Sequence, residues 1–266
     1  MDKLAGQTAI VIGASSGIGR AIAVGFAQEG ADIIGLGRRP DALEEMASEV
    51  RSYGRQAHDR PFEVFERNAY PDLMQWLDDN HLDFDIVVHT VGGALRALSI
   101  HDERLQSLFD EHRGKIPFWK LTDDDVDHVL TQGVKSCMST CRYLAPRLMA
   151  KGKGSLIVIG SGAGKPGVPQ RYADYAAEKG AVMCYVPAIA HELKPYGVAA
   201  NILLPGHIVN DRFPPYEGPD PTAVKPESCV PAAVFLAQQD GNGVTGQWFD
   251  AREFKPLLTS AASSAS

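Results

Sequence analysis

Cysteine is scarce: Cys137, Cys141, Cys184 and Cys229 are the only four in 266 residues. No two stand as C-x-x-C or in another zinc spacing. Cys137 and Cys141 are one helical turn apart, which leaves a metal pair open, but they fall on an apolar stripe where buried free thiols are the expectation. No metal site is predicted. An excess of basic residues is missing as well, and the net charge of −7 argues against a nucleic-acid surface. No apolar run approaches the roughly 20 residues that a membrane span needs. The first strand begins so near the N-terminus that no signal peptide is expected. These absences point to a cytoplasmic protein that works without nucleic acid or membrane. There is no internal repeat and no linker that would split the chain. Hydrophobic residues make up 44 %, enough for one large α/β domain with a buried core. That domain is placed at 1–258, with 259–266 as a flexible Ala/Ser-rich tail.

The chain is organised around Thr8 to Gln28, TAIVIGASSGIGRAIAVGFAQ. Thr8 to Ile12 reads as a buried strand, Gly13, Gly17 and Gly19 as a turn, and Ile18, Ile22 and Phe26 recur at helical spacing. Strand, glycine turn and helix place a diphosphate on free backbone N–H groups at the positive end of a helix. Gly13 permits the tight turn, Gly17 lets the backbone approach phosphate, and Gly19 lets helix pack on strand. Strand and helix patterns then alternate, which predicts a parallel sheet with helices on both faces. Further strands are predicted at Ala31–Leu36, Gln56–His58, Ile86–Val91, Leu156–Ile159, Val198–Leu204 and Val244–Asp250. Helices are predicted from Pro40, from Pro71, over Ser99–Arg113, from a Thr122 cap, over Asp174–Leu193 and over Pro226–Ala237. Val126, Leu130, Val134, Cys137, Cys141, Leu144 and Leu148 form the expected buried stripe of the long helix that Thr122 starts.

Tyr175 and Lys179 are four residues apart and share one helix face. A tyrosine is a poor acid–base catalyst near neutrality, and a neighbouring ammonium favours its phenolate form. Ser161 ends the fifth strand at the carboxyl edge of the sheet, where ligands bind in open α/β folds. Its hydroxyl could hold a carbonyl oxygen while Tyr175 protonates it.

Taken together, these residues resemble the short-chain dehydrogenases/reductases, from Leu4 to about Asp250. The opening run is similar to T-G-x-x-x-G-x-G with Ile12 for the threonine. DIVVHTVG (Asp85 to Gly92) resembles D-hydrophobic-N-N-A-G with His89, Thr90 and Val91 substituted. Asn201 to Gly206 resembles N-x-x-x-P-G, Val244 to Gln247 resembles the closing strand, and Ser161, Tyr175 and Lys179 match the catalytic set. The resemblance implies a Rossmann-like, doubly wound, seven-stranded parallel sheet. It implies hydride transfer between a nicotinamide cofactor and a small-molecule carbonyl or alcohol, with Tyr175 as general acid/base. Lys179 would assist Tyr175 and hold the nicotinamide ribose, and Ser161 would orient the substrate oxygen. Gly13, Ser15, Ser16, Gly17, Ile18, Gly19, Val91, Gly92, Pro205, Gly206 and Ile208 would line the cofactor, and Glu63 (or Asp59) would meet the adenine amino group. A homo-oligomer, tetramer or dimer, would be built on the long helix and the Tyr175 helix.

The second strand ends in Arg38 and Arg39, with no acid for a ribose 2′-hydroxyl. Arginine matches a 2′-phosphate by charge and planar donors, so NADP(H) is favoured over NAD(H), with Arg38 first and Arg39 second. A solvated basic pair is the bland reading. An NADP-dependent ketoreductase is the leading function. An SDR-fold dehydratase or epimerase, or a non-catalytic NADP-sensing protein, are the alternatives.

Three departures stand out. Gly133 occupies the position of the family's catalytic asparagine. Pro187 falls inside the helix of Tyr175 and Lys179, beyond both, and should kink it there. The segment 94–120 is longer than the family usually has, while that between Gly206 and Pro226 is shorter. Phe118 and Trp119 are lid candidates or plain surface, and His101 and His112 are solvated helix positions.

Overall fold

Strand β1 (Thr8–Ile12) alternates its side chains between two separate cores: Ala9 and Val11 enter one, Ile10 and Ile12 the other. That alternation, repeated along the neighbouring strands, is what a sheet covered on both faces requires. The computed structural model describes residues 2–93, 95, 102–114, 116–167, 172–209 and 221–258. Tail residues 259–266, His101 and Ser99 lie outside the described residues.

Helix α1 (Gly17–Gln28) follows β1, then β2 (Asp32–Gly37), α2 (Pro40–Ser52), β3 (Ala57–Pro61), α3 (Ala69–Asp79) and β4 (Ile86–His89). After α4 (Glu103–Glu111) come α5 (Asp123–Val129), a π-helical turn over Leu130–Lys135, and α6 (Ser136–Lys151). Then β5 (Gly154–Ile159), α7 (Ala173–Leu193), β6 (Val198–Leu204), α8 (Val230–Ala237), β7 (Trp248–Asp250) and β8 (Lys255–Pro256) complete the order. The sheet runs β3-β2-β1-β4-β5-β6-β7-β8. Its first seven strands are parallel, and the two-residue β8 adds an antiparallel edge. Helices α1, α2 and α8 cover one face; α3, α6 and α7 cover the other. Strand order reverses between β1 and β4, so the crevice for a ligand opens at their carboxyl ends.

The structure moves several predicted boundaries. Strand β3 extends to Pro61 and is half-buried and polar, because an edge strand needs only the ladder to β2 (Ile33 to Ala57 through Gly37 to Pro61) and little apolar surface. Strand β4 stops at His89, where Thr90 turns its hydroxyl onto the Ile12 carbonyl at 2.9 Å. The closing strand shrinks to three residues because Asn201 holds the segment before it. Asn201 Nδ2 donates to the Val244 carbonyl at 2.7 Å, and the Gln247 N–H donates to Asn201 Oδ1 at 3.0 Å.

The largest correction concerns the long helix. Thr122 caps it in a full capping box with Asp125, as expected. Val126 and Leu130, however, are 40 % and 41 % exposed. The π turn inserts an extra residue into the helical repeat. The buried stripe therefore runs Asp125, Val129, Gly133, Cys137, Cys141, Leu144 and Leu148. Cys229 is buried too, and Cys184 is exposed. Helix α7 runs on past Pro187, and both Tyr175 and Lys179 precede the proline.

Candidate active site

The phosphate end is built on the turn after β1. Gly13, at φ +95°, and Ala14 both donate their N–H groups to the Leu36 carbonyl, at 2.8 and 2.9 Å. This ties the turn to β2, in a backbone conformation that glycine adopts without strain. Ser16 is the N-cap of α1, yet its side chain makes no capping bond. The first-turn N–H groups thus have no side-chain cap to compete with an anion. A Cβ on Gly19 would lie 2.8 Å from Thr90 Oγ1, so helix, turn and the end of β4 are packed as closely as glycine permits. Ser15 and Ile18 are half-buried along the same rim.

Beyond the turn, Arg39 Nη2 donates to the Ser15 carbonyl at 2.7 Å, while Arg38 reaches Glu63 at 3.9 Å and is 60 % exposed. His128 joins them from α5, its ring 4.5 Å from Phe65. Burial and the Arg38 charge hold its imidazole below the ordinary histidine range. Neither His128 nor Phe65 was a sequence candidate, since each reads alone as a surface residue. Asp59 turns away to an ion pair with Arg51 at 3.6 Å.

At the other end, Ser161 lies just past β5 and caps the short turn Gly162–Gly164, its Oγ accepting the Ala163 N–H at 3.2 Å. A Cβ on Gly164 would come within 2.6 Å of the Lys179 main chain, so that turn is pressed against α7 at the lysine. Lys179 is buried, with Nζ donating to the Ile159 carbonyl at 3.2 Å and lying 5.7 Å from the centre of the half-buried Tyr175 ring. The structure therefore puts the Lys179 ammonium between the Tyr175 ring and the end of β5, where its bond to Ile159 lies two residues before Ser161.

Val91 and Gly92 arrive from β4. Gly92 has φ +139°, and a Cβ there would lie 2.8 Å from Lys179 Nζ. Pro205 and Gly206 follow β6, and Arg252 packs against Gly206: a Cβ at that glycine would be 2.7 Å from its Nε. Ile208 pairs with Val224 in an isolated bridge.

The residue that the sequence reading missed is Glu178. It is fully buried, with Oε1 3.1 Å from Lys179 Nζ and Oε2 accepting the Gly93 N–H at 3.1 Å. Burial alone would drive the Lys179 ammonium toward neutrality; the Glu178 carboxylate and Tyr175 more than offset this, and its pKa is raised. A signal was present: Tyr175, Glu178, Lys179, Val182, Met183 and Val186 follow helical spacing, with a carboxylate inside the buried stripe.

Behind the lysine, His89 is buried, with Nδ1 2.9 Å from Thr140 Oγ1, which in turn meets the Tyr70 hydroxyl at 2.9 Å. Burial and the Lys179 charge push His89 down to about 3, so its ring is neutral near pH 7. Described residues of the long segment before α5 form a small separate core. Leu95, Leu105, Phe109 and Ile116 meet Val129 and Tyr172, and Tyr172 donates to the Gly114 carbonyl at 2.9 Å. This core is anchored at the start of the Tyr175 helix. Phe118 and Trp119 stack edge-on against each other and are 67 % and 69 % exposed, as surface residues are. His112 ends α4, 3.7 Å from Glu111.

A family model described as short chain dehydrogenase matches residues 7–215. A 2,3-dihydro-2,3-dihydroxybenzoate dehydrogenase of Bacillus subtilis is 31 % identical over 77 % of this chain and 71 % of its own. An NADPH-dependent aldehyde reductase-like chloroplastic protein of Arabidopsis thaliana is 30 % identical over 92 % of each. Among solved structures, a candidate NAD(P)-dependent gluconate 5-dehydrogenase from Beutenbergia cavernae, with NADP bound at low occupancy, superposes with a TM-score of 0.76. It is 28 % identical and is covered to 96 %, against 93 % of this chain.

Proposed function

The chain belongs to the short-chain dehydrogenase family, an oxidoreductase family, and on that premise we propose that it interconverts a small-molecule carbonyl and a secondary alcohol with NADP(H). The observation that carries this reading is Tyr175, half-buried, facing the buried Lys179 ammonium beside the Ser161 turn. The cofactor supplies or accepts the hydride. Tyr175 gives its hydroxyl proton to the carbonyl oxygen in reduction and recovers it in oxidation, and Ser161 Oγ orients that oxygen. Lys179 supports the charge that Tyr175 acquires and holds a ribose hydroxyl.

The glycine turn fits a diphosphate, since its helix N–H groups lack a side-chain cap. Gly13, Ser15, Ser16, Gly17, Ile18 and Gly19 would hold it there. Val91, Gly92, Pro205, Gly206 and Ile208 would flank the nicotinamide half, and Glu63 would meet the adenine. Arg38, exposed and 3.9 Å from Glu63, and Arg39 behind it favour a 2′-phosphate over a bare ribose. An NADPH-dependent relative and an NADP-bound neighbour support the same preference. A homo-oligomer, tetramer or dimer, would pack on the long helix and the Tyr175 helix, and the exposed Val126, Leu130 and Met138 on the long helix support this.

The test is consumption of NADPH and NADH by recombinant protein against a panel of aldehydes and ketones, with Tyr175→Phe as control. NADPH turnover that Tyr175→Phe abolishes supports the reading. Cofactor binding without turnover of any carbonyl defeats it.

A further inference from the structure

We propose that Glu178 is a positioning residue of this site: its carboxylate, seated against Gly133 and the Gly93 N–H, holds the Lys179 ammonium in register with Tyr175. The inference rests on the reading of Tyr175 and Lys179 as the acid/base pair.

Three separate elements converge on this one carboxylate. From the loop after β4, the Gly93 N–H donates to Oε2 at 3.1 Å. From α7 itself, Lys179 Nζ stands 3.1 Å from Oε1. From the π turn, Gly133 lies so close that a Cβ there would fall inside the Glu178 carboxyl group. Any residue but glycine at 133 would expel the carboxylate from its seat. The departure at Gly133 and the glutamate before the lysine are thus one feature, in which the side chain absent from the π turn is replaced by one reaching in from α7.

A fully buried carboxylate is expensive unless it is paired, and an apolar pair of like shape would serve stability at least as well. Oε1 is paired with the Lys179 ammonium at 3.1 Å, and that ammonium in turn faces the Tyr175 ring. The other groups that face Lys179 are Cys137 from α6, His89 from β4, which is neutral near pH 7, and the Ile159 carbonyl at the end of β5. Glu178 therefore supplies the negative charge of the cluster. Removing that charge lowers the affinity of the coupled Tyr175–Lys179 pair for protons, whichever of the two releases one.

The experiment is the pH dependence of turnover at saturating NADPH for the wild type, Glu178→Gln, Glu178→Asp and the double variant Gly133→Asn/Glu178→Ser. The Tyr175 phenol is titrated by ultraviolet difference against Tyr175→Phe. Glu178→Gln is expected to move the acid–base midpoint to lower pH by about 1 unit or more, the scale on which a close charge acts. Glu178→Asp keeps the charge and is expected to hold the midpoint close to that of the wild type. Gly133→Asn alone is expected to lose turnover by collision with Glu178, and Glu178→Ser in the same chain to restore it.

A folded Glu178→Gln with an unmoved midpoint overturns the proposal, because an ion pair that only serves the fold would behave so. Should Glu178→Gln fail to fold, the double variant carries the same loss of charge and the same expected shift. Failure of both to fold assigns Glu178 to the fold and also overturns it. If the wild type reduces no carbonyl, the functional reading fails on its own, while the phenol titration still reads the effect of Glu178.

Discussion

Arg39 is bound to the Ser15 carbonyl at 2.7 Å, across the turn that begins α1, whereas its neighbour Arg38 stands 60 % exposed. Adjacent arginines are thereby divided between two tasks. Arg39 fastens the end of β2 to the glycine turn, and Arg38 stays exposed beside Glu63, which on the proposed reading leaves it for the 2′-phosphate. Arg38→Ala should raise the KM for NADPH about tenfold or more, some 1.4 kcal/mol, and leave that for NADH nearly unchanged. Arg39→Ala should weaken both cofactors alike, since it loosens the turn that either would use. Steady-state kinetics with both cofactors checks this, and equal effects of Arg38→Ala on the two would refute the division.

Tyr175→Phe removes the hydroxyl and keeps the ring that Lys179 faces. Turnover should fall by about 10² or more, the usual contribution of a positioned acid–base group. Cofactor dissociation constants, read by quenching of protein fluorescence, should hardly move. A loss of binding equal to the loss of rate would show that the hydroxyl serves the cofactor and not the chemistry.

The alternation of apolar strands with amphipathic helices was legible because the central strands β1, β2, β4, β5 and β6 are buried on both faces while helices such as α2 and α3 bury one. The glycine turn could be read because its spacing lies within one strand–turn–helix unit, and the pairing of Tyr175 with Lys179 because the two are four residues apart on one helix. Three things were not. The π turn over Leu130–Lys135 leaves no mark on apolar spacing, so Val126 and Leu130 were assigned to a core that lies one residue out of phase. Glu178 was hidden because its meaning depends on Gly133 and Gly93, which lie 45 and 85 positions away in the chain. The brevity of β7 follows from the Asn201 side chain, whose bonds to Val244 and Gln247 no periodicity can announce.

The Thr122–Asp125 capping box, with Arg104 on Asp125 at 2.5 Å, anchors the start of the long helix. Burial alone would raise the Asp125 carboxyl, but the Thr122 N–H and the Arg104 guanidinium hold it below the usual carboxylate value of 3.8. A carboxyl depressed in the folded state stabilises the fold above its unfolded value and loses that contribution as pH falls through the folded one. Thr122→Ala should cost about 1 kcal/mol in urea unfolding near neutrality. Asp125→Asn should destabilise near pH 7, with the deficit closing below about pH 4 as the wild-type carboxyl takes up its proton. A deficit unchanged from pH 7 to pH 3 would exclude the charged cap as its source.

His89, Thr140 and Tyr70 form a buried chain of hydrogen bonds between β4, α6 and α3. Thr140→Val keeps the shape and deletes the central hydroxyl. That leaves His89 Nδ1 without this partner, whereas the Tyr70 hydroxyl retains its bond to the Ser136 carbonyl at 2.8 Å. The expected loss is about 1–3 kcal/mol of unfolding free energy. His89 itself is held down to about 3 in the folded chain by burial and the Lys179 charge, against 6.5 as its ordinary value. The unfolded chain therefore binds the extra proton first, so stability must fall as pH drops from about 6.5 toward 3. Replacing His89 by asparagine, which does not titrate, should flatten this part of the curve of unfolding free energy against pH while leaving the Asp125 contribution at its acid end. A wild-type curve already flat between pH 6.5 and 4 would mean that His89 reaches solvent and takes up its proton without opening the core.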